Sequence, residues 1–290
     1  AGSGTVSLTA GSGGITAATA NNTTAEIATT GATVTLNTSG TVGTSANRIQ
    51  FANNATTTQQ NVVVGSVGTQ PSAVFLDGLN NLTLGNITTS TTNANVSVTA
   101  LGGLNVNGTI TSGTGTISLG ADRTFGDAAG DGTGTLSLLA SSIVTSANTS
   151  TSAITLRGAD MAIDGTAGVT ATGVGGGVRL FSSVDTRPIA LGDTSGSAVA
   201  GINLDDAELA RISNYATLTV GEAAAQSGTI TVTTVTNPVS AGNLVINTSG
   251  TGGIVLNDTG SEGVPVVATA LAAGSGTVSL TAGSGGITAA

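Results

Sequence analysis

Short runs in which apolar and polar residues alternate recur along the whole chain. Each run is a triplet of an apolar residue, a middle residue that is mostly Ser or Thr, and a second apolar residue. Strict alternation of this kind is typical of a half-buried strand, whose outer two side chains point to the core and whose middle side chain points to solvent. The triplets lie at 6–8, 34–36, 49–51, 62–64, 74–76, 82–84, 96–98, 117–119, 136–138, 154–156, 178–180, 202–204, 218–220, 230–232, 244–246, 254–256 and 264–266.

The spacing of the triplets predicts a solenoid. In residues 95–141 they start about 20 residues apart, as expected if one face of a coil returns after each full turn. Gly and Asn residues between them supply the left-handed backbone conformations that corners need. We therefore predict an all-β fold, a parallel β-helix (β-solenoid) with about 13–14 coils per 272 residues. An array of immunoglobulin-like sandwiches is disfavoured because it would need longer strands and a buried aromatic core, and the chain has no Trp.

One stretch of sequence occurs twice. Residues 1–18 and 273–290 both read AGSGTVSLTAGSGGITAA, at an offset of 272 residues. Self-similarity at a fixed period marks a repeat architecture. We therefore interpret 1–290 as a single continuous β-solenoid segment, with 1–272 as one full tandem repeat and 273–290 as the start of the next repeat. Adjacent copies of the repeat, joined end to end, are the partners that this organisation predicts.

Residues 204–212 break the alternating pattern. Their apolar residues are Leu204, Leu209 and Ile212, which are spaced as on a helix. Asp205 followed three residues later by Glu208 resembles a capping box. We predict a short helical excursion beside the solenoid, in which the carboxylates of Asp205, Asp206 and Glu208 cap the helix. The alternative for the same three residues is a cation site.

Composition excludes several classes of function. The net charge is −9 and all six basic residues are Arg, which argues against nucleic acid as a partner. The chain has no Cys, His or Lys, and its 15 acidic residues are scattered. Polysaccharide-cleaving β-helices need clustered carboxylates, so we predict no enzymatic activity and no cofactor. No apolar run is long enough to insert into a membrane.

Two further sets of residues are candidates for binding. Asp127 and Asp131 lie in a Gly-rich stretch, 126–132, that lacks the spacing of known calcium loops, so the favoured interpretation is a turn and the alternative is a calcium site. Four middle positions, Val63, Phe75, Val245 and Val255, are apolar instead of hydroxylic. They form two pairs of triplets adjacent in sequence, each of which would present an apolar stripe outward. The favoured interpretation is that a loop from a neighbouring coil covers each stripe, and the alternative is a lateral contact between fibres.

Several segments resemble a known family. The segments GTVSLTAGSGGI, GTISLGA, GTLSLLAS and the run DAELARI…ATLTVGEA…GTITV are similar to the β-strand repeats of filamentous-haemagglutinin-like proteins. These are giant secreted bacterial adhesins and fibres, and the resemblance implies a right-handed parallel β-helix and an extracellular or cell-surface location. The secretion-signal domain and any receptor-binding tip of the family are not recognisable in this chain.

These observations predict a structural role. We expect a shaft segment of a giant tandem-repeat extracellular or cell-surface fibre or adhesin, stabilised by the stacking of each coil on its neighbours. Neighbouring fibres could also associate laterally. The alternative is a ligand-binding module whose hydroxyl-rich face recognises glycan or ice, although Gln, Asn and Arg interrupt that face.

Overall fold

The computed structural model describes residues 4–30, 33–53, 61–65, 68–90, 92–123, 130–192, 199–236, 242–257, 271–272 and 275–290. Almost all of its regular structure is short strands, and every pairing between described strands is parallel. The predicted all-β class and parallel β-solenoid are therefore confirmed.

Eight strands form the first part of the chain. They are β1 (Val6–Thr9), β2 (Ile27–Thr29), β3 (Thr33–Asn37), β4 (Thr41–Val42), β5 (Ile49–Asn53), β6 (Asn61–Val64), β7 (Ala73–Gly78) and β8 (Leu82–Thr88).

Eleven strands follow. They are β9 (Val96–Ala100), β10 (Leu104–Val106), β11 (Thr109–Thr111), β12 (Ile117–Ala121), β13 (Thr135–Leu138), β14 (Ile143–Ser146), β15 (Ile154–Gly158), β16 (Asp160–Ile163), β17 (Gly168–Ala171), β18 (Gly177–Ser182) and β19 (Ile189–Gly192).

The last part contains ten strands and the helix. In chain order these are β20 (Ile202–Leu204), α1 (Asp206–Leu209), β21 (Ile212–Ser213), β22 (Thr217–Val220), β23 (Ile230–Thr233), β24 (Val235–Thr236), β25 (Asn243–Asn247), β26 (Ile254–Asn257), β27 (Leu271–Ala272), β28 (Val278–Thr281) and β29 (Ile287–Ala289). The predicted helical excursion at 204–212 is confirmed, with one turn of helix at its centre.

Three extended sheets make up the solenoid. The first sheet follows the path β1-β3-β6-β8-β11-β14-β17-β21, and a side branch of β10, β13 and β16 leaves it at β8. The second sheet runs β2-β5-β7-β9-β12-β15-β18-β22-β25-β28, with β4 beside β5 on β7. The third sheet is β20-β19-β23-β26-β29, and β24 pairs with β27.

The core is thin and consists of apolar columns along the sheets. On the second sheet, one column contains Val74, Val96, Ile117, Ile154 and Val178, which lie directly opposite one another in successive strands. All five are buried. Stacking of like residues removes apolar surface from water between every pair of coils, so each coil is stabilised mainly by its two neighbours.

The structure corrects the predicted number of coils. Nine consecutive pairings cover the 263 residues from Ile15 to Val278, which gives about 29 residues per coil and between nine and ten coils per repeat rather than 13–14. The estimate failed because successive triplets lie on different sheets. Ile117 belongs to the second sheet and Leu136 to the first, so a spacing of about 20 residues is not always a full turn.

Candidate functional site

The acidic cluster at the helical excursion is a complete capping box. The Asp205 Oδ1 atom accepts a hydrogen bond from the backbone N–H of Glu208 at 2.7 Å, and the Glu208 Oε2 atom accepts from the backbone N–H of Asp205 at 3.1 Å. Each side chain thus satisfies a donor that the first turn of a helix leaves free. The capping interpretation of Asp205 and Glu208 is confirmed.

Glu208 also serves a neighbouring strand. Its second carboxylate oxygen, Oε1, accepts from the backbone N–H of Ile163 at the end of β16, at 2.9 Å. Burial raises the pKa of the Glu208 carboxyl above its ordinary value, and the hydrogen bonds from Ile163 and Asp205 oppose that shift. Both carboxylate oxygens are therefore engaged with protein donors.

Other polar side chains join this edge of β16 to the residues around α1. The Asp160 Oδ1 atom accepts from the backbone N–H of Met161 at 2.8 Å and from that of Asn203, in β20, at 3.3 Å. The Arg211 guanidinium donates to the carbonyl of Ile163. At this edge of β16, side chains bond the backbone groups that a neighbouring strand would bond elsewhere in the sheets.

A surface cavity of 420 Å³ lies beside these groups. Its lining includes Leu138, Ile163, Asp164, Asp205, Glu208 and Arg211. A cation there would meet the Arg211 guanidinium and two carboxylate oxygens of Glu208 that already accept N–H bonds. Within the described ranges, no group of three or more His, Cys, Asp or Glu side chains is placed to hold a metal ion. The geometry is that of a structural cluster, with the cation site left as a prediction without support here.

Of the two candidate residues in the Gly-rich stretch, only Asp131 lies within the described residues. Asp127 lies outside the described residues. Asp131 is exposed, and its Oδ1 atom accepts from the backbone N–H of Thr133 at 3.1 Å and from the Thr133 hydroxyl at 2.6 Å. The hydroxyl bond in particular lowers the pKa of the Asp131 carboxyl. This is the local side-chain-to-backbone pattern of an Asx turn, as the turn interpretation expected of Asp131.

The four apolar middle positions do not form two stripes. Val63 is in the first sheet and Phe75 in the second, while Val245 is in the second and Val255 in the third. All four side chains are half-buried. Each is flanked along its own sheet by polar or small residues, such as Ser97 beside Phe75 and Thr219 beside Val245. Triplets that are adjacent in sequence thus present their middle residues on different faces, and lateral contact stays a prediction for single positions.

A buried polar row was missed by the sequence analysis. Gln50, Asp77 and Thr99 lie opposite one another in β5, β7 and β9. The Asp77 carboxylate accepts from the Thr99 hydroxyl at 2.7 Å and from the Gln50 amide at 3.0 Å, and Gln50 in turn bonds the backbone of Asn22. Burial raises the pKa of Asp77, against the hydrogen bonds from Thr99 and Gln50. Nothing in the sequence marks these residues, because only the register of three strands brings them together.

A second missed group surrounds Asp122. Its carboxylate accepts from the Ser183 hydroxyl at 2.5 Å and from the backbone N–H of Gly132 at 3.0 Å. Asp122 and Ser183 are both buried. The contact joins residues 61 positions apart and ties the end of β12 to the residues after β18. The contact is therefore a tie between coils.

Comparisons with known proteins return no relative. No family model, no curated protein and no solved structure matches this chain. Among the residues that the structure describes, no helix is both long and apolar enough to cross a membrane.

Proposed function

We propose that this chain is a structural shaft segment of a giant tandem-repeat fibre or adhesin at the cell surface or outside the cell. The observation that carries the proposal is the second sheet, a ladder of ten parallel strands from β2 to β28. Such a ladder lengthens by adding coils, and its stability is a sum of similar nearest-neighbour terms. A chain whose first 18 residues recur at its far end is suited to repeated extension.

The side chains support a scaffold more than a catalyst. The carboxylates of Asp77, Asp122, Asp205 and Glu208 are each engaged by protein donors within or between coils. Groups held in this way stiffen the shaft, because their acceptor oxygens are already bound to protein donors. The proposal therefore includes the absence of enzymatic activity, and of a bound cofactor, as part of the function.

The proposed location outside the cell rests on two observations. The chain resembles filamentous-haemagglutinin-like proteins, and only 7% of its residues are charged. Antibodies raised against residues 1–290 should label intact cells of the organism that encodes the chain. Labelling that requires permeabilised cells would contradict this part of the proposal.

The elongated shape can be tested on chains of one, two and three repeats. With nine to ten coils per repeat and about 4.8 Å between stacked strands, each added repeat should lengthen the particle by about 45 Å. Electron microscopy of the three chains would measure the increment. Globular beads joined by variable gaps would contradict a continuous shaft.

The alternative of glycan or ice recognition has no comparable support. The outward column of the second sheet contains Phe75, Ser97, Ser118, Thr155, Arg179, Thr219, Val245 and Ser279 in successive coils. A periodic hydroxyl array would need Ser or Thr at each of these positions, so we do not extend the proposal to ligand binding.

A further inference from the structure

The two copies of the repeated sequence have the same local conformation but different neighbours. Residues 4–18 and 276–290 are described in both copies. In each copy a turn is closed by the same backbone bond, from Gly14 to Gly11 at 3.2 Å and from Gly286 to Gly283 at 3.1 Å. The first copy pairs with strands that follow it in the chain, whereas the second pairs with strands that precede it.

The two copies use opposite edges of the same strand. In β1 and its continuation, the backbone N–H of Ala10 donates to Asn37, the last residue of β3, at 2.9 Å. In β28 the carbonyls of Thr277 and Thr281 accept from Leu244 and Thr248, at 2.9 and 2.8 Å. Thr281 is the copy of Thr9, the residue before Ala10. Alternate residues of a strand direct their backbone groups to opposite neighbours, so the edge that is empty in one copy is occupied in the other.

The second strand of the copied segment behaves in the same way. Ile15 donates to Thr41 and accepts from Gly43, each at 2.8 Å. In the other copy, the bonds to the neighbouring coil come from the alternate residues, with Gly286 accepting from Ile254 at 2.9 Å and Ala290 donating to Leu256 at 3.0 Å. Ile287, the copy of Ile15, is 49% exposed. Two separate strands thus show the same complementarity.

The glycines of the segment are explained only when both copies are considered. A Cβ at Gly276, Gly283 or Gly285 would lie 2.0, 2.6 or 2.7 Å from backbone atoms of the preceding coil, whereas nothing lies within 4 Å of one at the matching Gly4, Gly11 or Gly13. Gly14 shows the reverse, since its Cβ would lie 2.5 Å from the carbonyl of Thr41 and that of Gly286 would meet nothing. Each of these close approaches requires Gly in one copy only.

We propose that residues 1–18 of each repeat form a shared coil, which stacks on β25 and β26 of the preceding copy and carries β3 and β4 of its own copy on the other side. The partner is thus a second copy of this same repeat, joined with no linker. The inference rests on the proposed function, which it deepens by giving the register: Val6 opposite Leu244, Leu8 opposite Ile246 and Ile15 opposite Ile254, as in the existing copy.

The junction also requires a rotation about the solenoid axis. The first copy places its two strands on the first and second sheets, and the second copy places them on the second and third. When the copies are superimposed, the first sheet of one repeat continues the second sheet of the preceding repeat. Successive repeats are then related by a screw operation instead of a pure translation.

Matched glycine variants test the junction. In the single chain of 290 residues, Gly283→Ala should lower the melting temperature by several degrees, whereas Gly11→Ala should leave it unchanged. The decisive chain has two repeats, with residue 272 followed directly by residue 1 of a second full chain. There, Gly11→Ala in the second repeat should be as damaging as Gly283→Ala. Gly14→Ala at the junction should lower the melting temperature more than Gly286→Ala does. Both positions have a positive φ, so that cost is shared, and only a Cβ at Gly14 would also meet the carbonyl of Thr41.

Each edge can fail by itself. A silent Gly11→Ala at the junction would show that the preceding copy does not stack there, and a Gly14→Ala no worse than Gly286→Ala would show that the following coils do not. Either result overturns the shared coil.

The unsubstituted two-repeat chain provides a second measurement if the variants do not fold. Amide exchange in its junction peptide should be slower by about tenfold or more than in the first copy, residues 4–18 of the first repeat. Equal exchange would overturn the proposal as well. These measurements report on the junction only. If the junction behaves as expected but the protein never reaches the cell surface, the proposed function is contradicted and the shared coil is not.

Discussion

The second and the first sheets are built from the same kind of triplet but differ in continuity. The second sheet keeps one register from β7 to β28, and the two apolar columns that start at Val74 and Leu76 run unbroken through all of its coils. The first sheet divides at β8, where Leu82–Leu84 pair with β10 and Ile87–Thr88 with β11. Its branch through β16 then meets α1 and β20, which belong to the longest coil of the chain.

The two sheets therefore depend on different stabilising contacts. The second sheet is called the continuous wall below, and the first sheet with its branch at β16 is called the broken wall. In the second sheet, backbone pairing and apolar stacking continue from strand to strand, because the paired strands repeat the same geometry, and polar side chains such as Asp77 add hydrogen bonds to a ladder that is already continuous. At β16 the chain departs from that geometry, and Glu208, Asp160 and Arg211 supply hydrogen bonds that a regular neighbouring strand would make. An excursion from a solenoid is therefore tolerated where polar side chains can satisfy the backbone groups it leaves behind.

The largest effect is expected in the continuous wall. Leu156 is fully buried between Leu119 and Leu180, so Leu156→Asp buries a carboxylate without a partner and should cost about 4 kcal/mol or more. Leu8, in the end coil, is 38% exposed, so Leu8→Asp should cost clearly less. Urea unfolding of both variants measures the difference. Equal losses would mean that the continuity of the wall does not set its stability.

At the broken wall the loss should be intermediate. Glu208→Ala removes the acceptor from the backbone N–H groups of Ile163 and Asp205, and each donor left without a partner costs free energy, about 1–3 kcal/mol in total. Glu222→Ala is the matched control, since that carboxylate is partly exposed and its ion pair with Arg157 is worth only about 0–1 kcal/mol. Chemical denaturation of both variants gives the comparison. If Glu222→Ala lowered the unfolding free energy as much as Glu208→Ala, the polar side chains at β16 would not replace the bonds of a neighbouring strand.

The pH dependence should distinguish a carboxylate buried in the continuous wall from an exposed one. Burial raises the pKa of Asp77 above 3.8 in the folded state, so the folded protein holds that proton more tightly than the unfolded chain. This contribution to stability is present below pH 3.8 and is lost as the pH rises through the folded pKa. Asp77→Asn should remove this downward slope when unfolding free energy is plotted against pH.

Asp131 provides the control of opposite sign. Its pKa is lowered by the Thr133 hydroxyl, so its contribution is present above pH 3.8 and is lost as the pH falls through the folded pKa. Asp131→Asn should therefore change the slope in the other direction. Two variants with slopes of the same sign would contradict the assigned environments.

The smallest effect is expected from removal of metal ions. The carboxylates at the broken wall and in the continuous wall accept hydrogen bonds from protein donors, so neither wall should depend on a cation. A chelator should shift the melting temperature by no more than about 1 °C. A larger drop that calcium restores would instead favour a site at Asp127 and Asp131 or at Asp205, Asp206 and Glu208.

Local patterns were enough to predict the strands that contain a triplet and the helix cap, but not strands such as β10, β14 and β17. Each triplet in the described ranges, such as Val34–Leu36 or Ile154–Leu156, is a strand with its outer residues directed inward, because alternation is a property of neighbouring residues. The capping box at Asp205 and Glu208 is equally local, since it involves one turn of backbone. The sequence alone thus determined the class of fold, the helical excursion and the core-facing side of most triplets, although the middle residue Gln50 is buried instead of exposed.

Only the tertiary structure decided which strand lies beside which. Backbone hydrogen bonds between parallel strands are the same for every sequence, so a triplet does not specify its wall or its neighbour. The number of coils, the row of Gln50, Asp77 and Thr99, and the separation of Val63 from Phe75 all depend on that choice. The identical strands β1 and β28 show the limit most directly: the same four residues, Val-Ser-Leu-Thr, lie on the first sheet at one end and on the second at the other, because their position is set by the coil on which they stack.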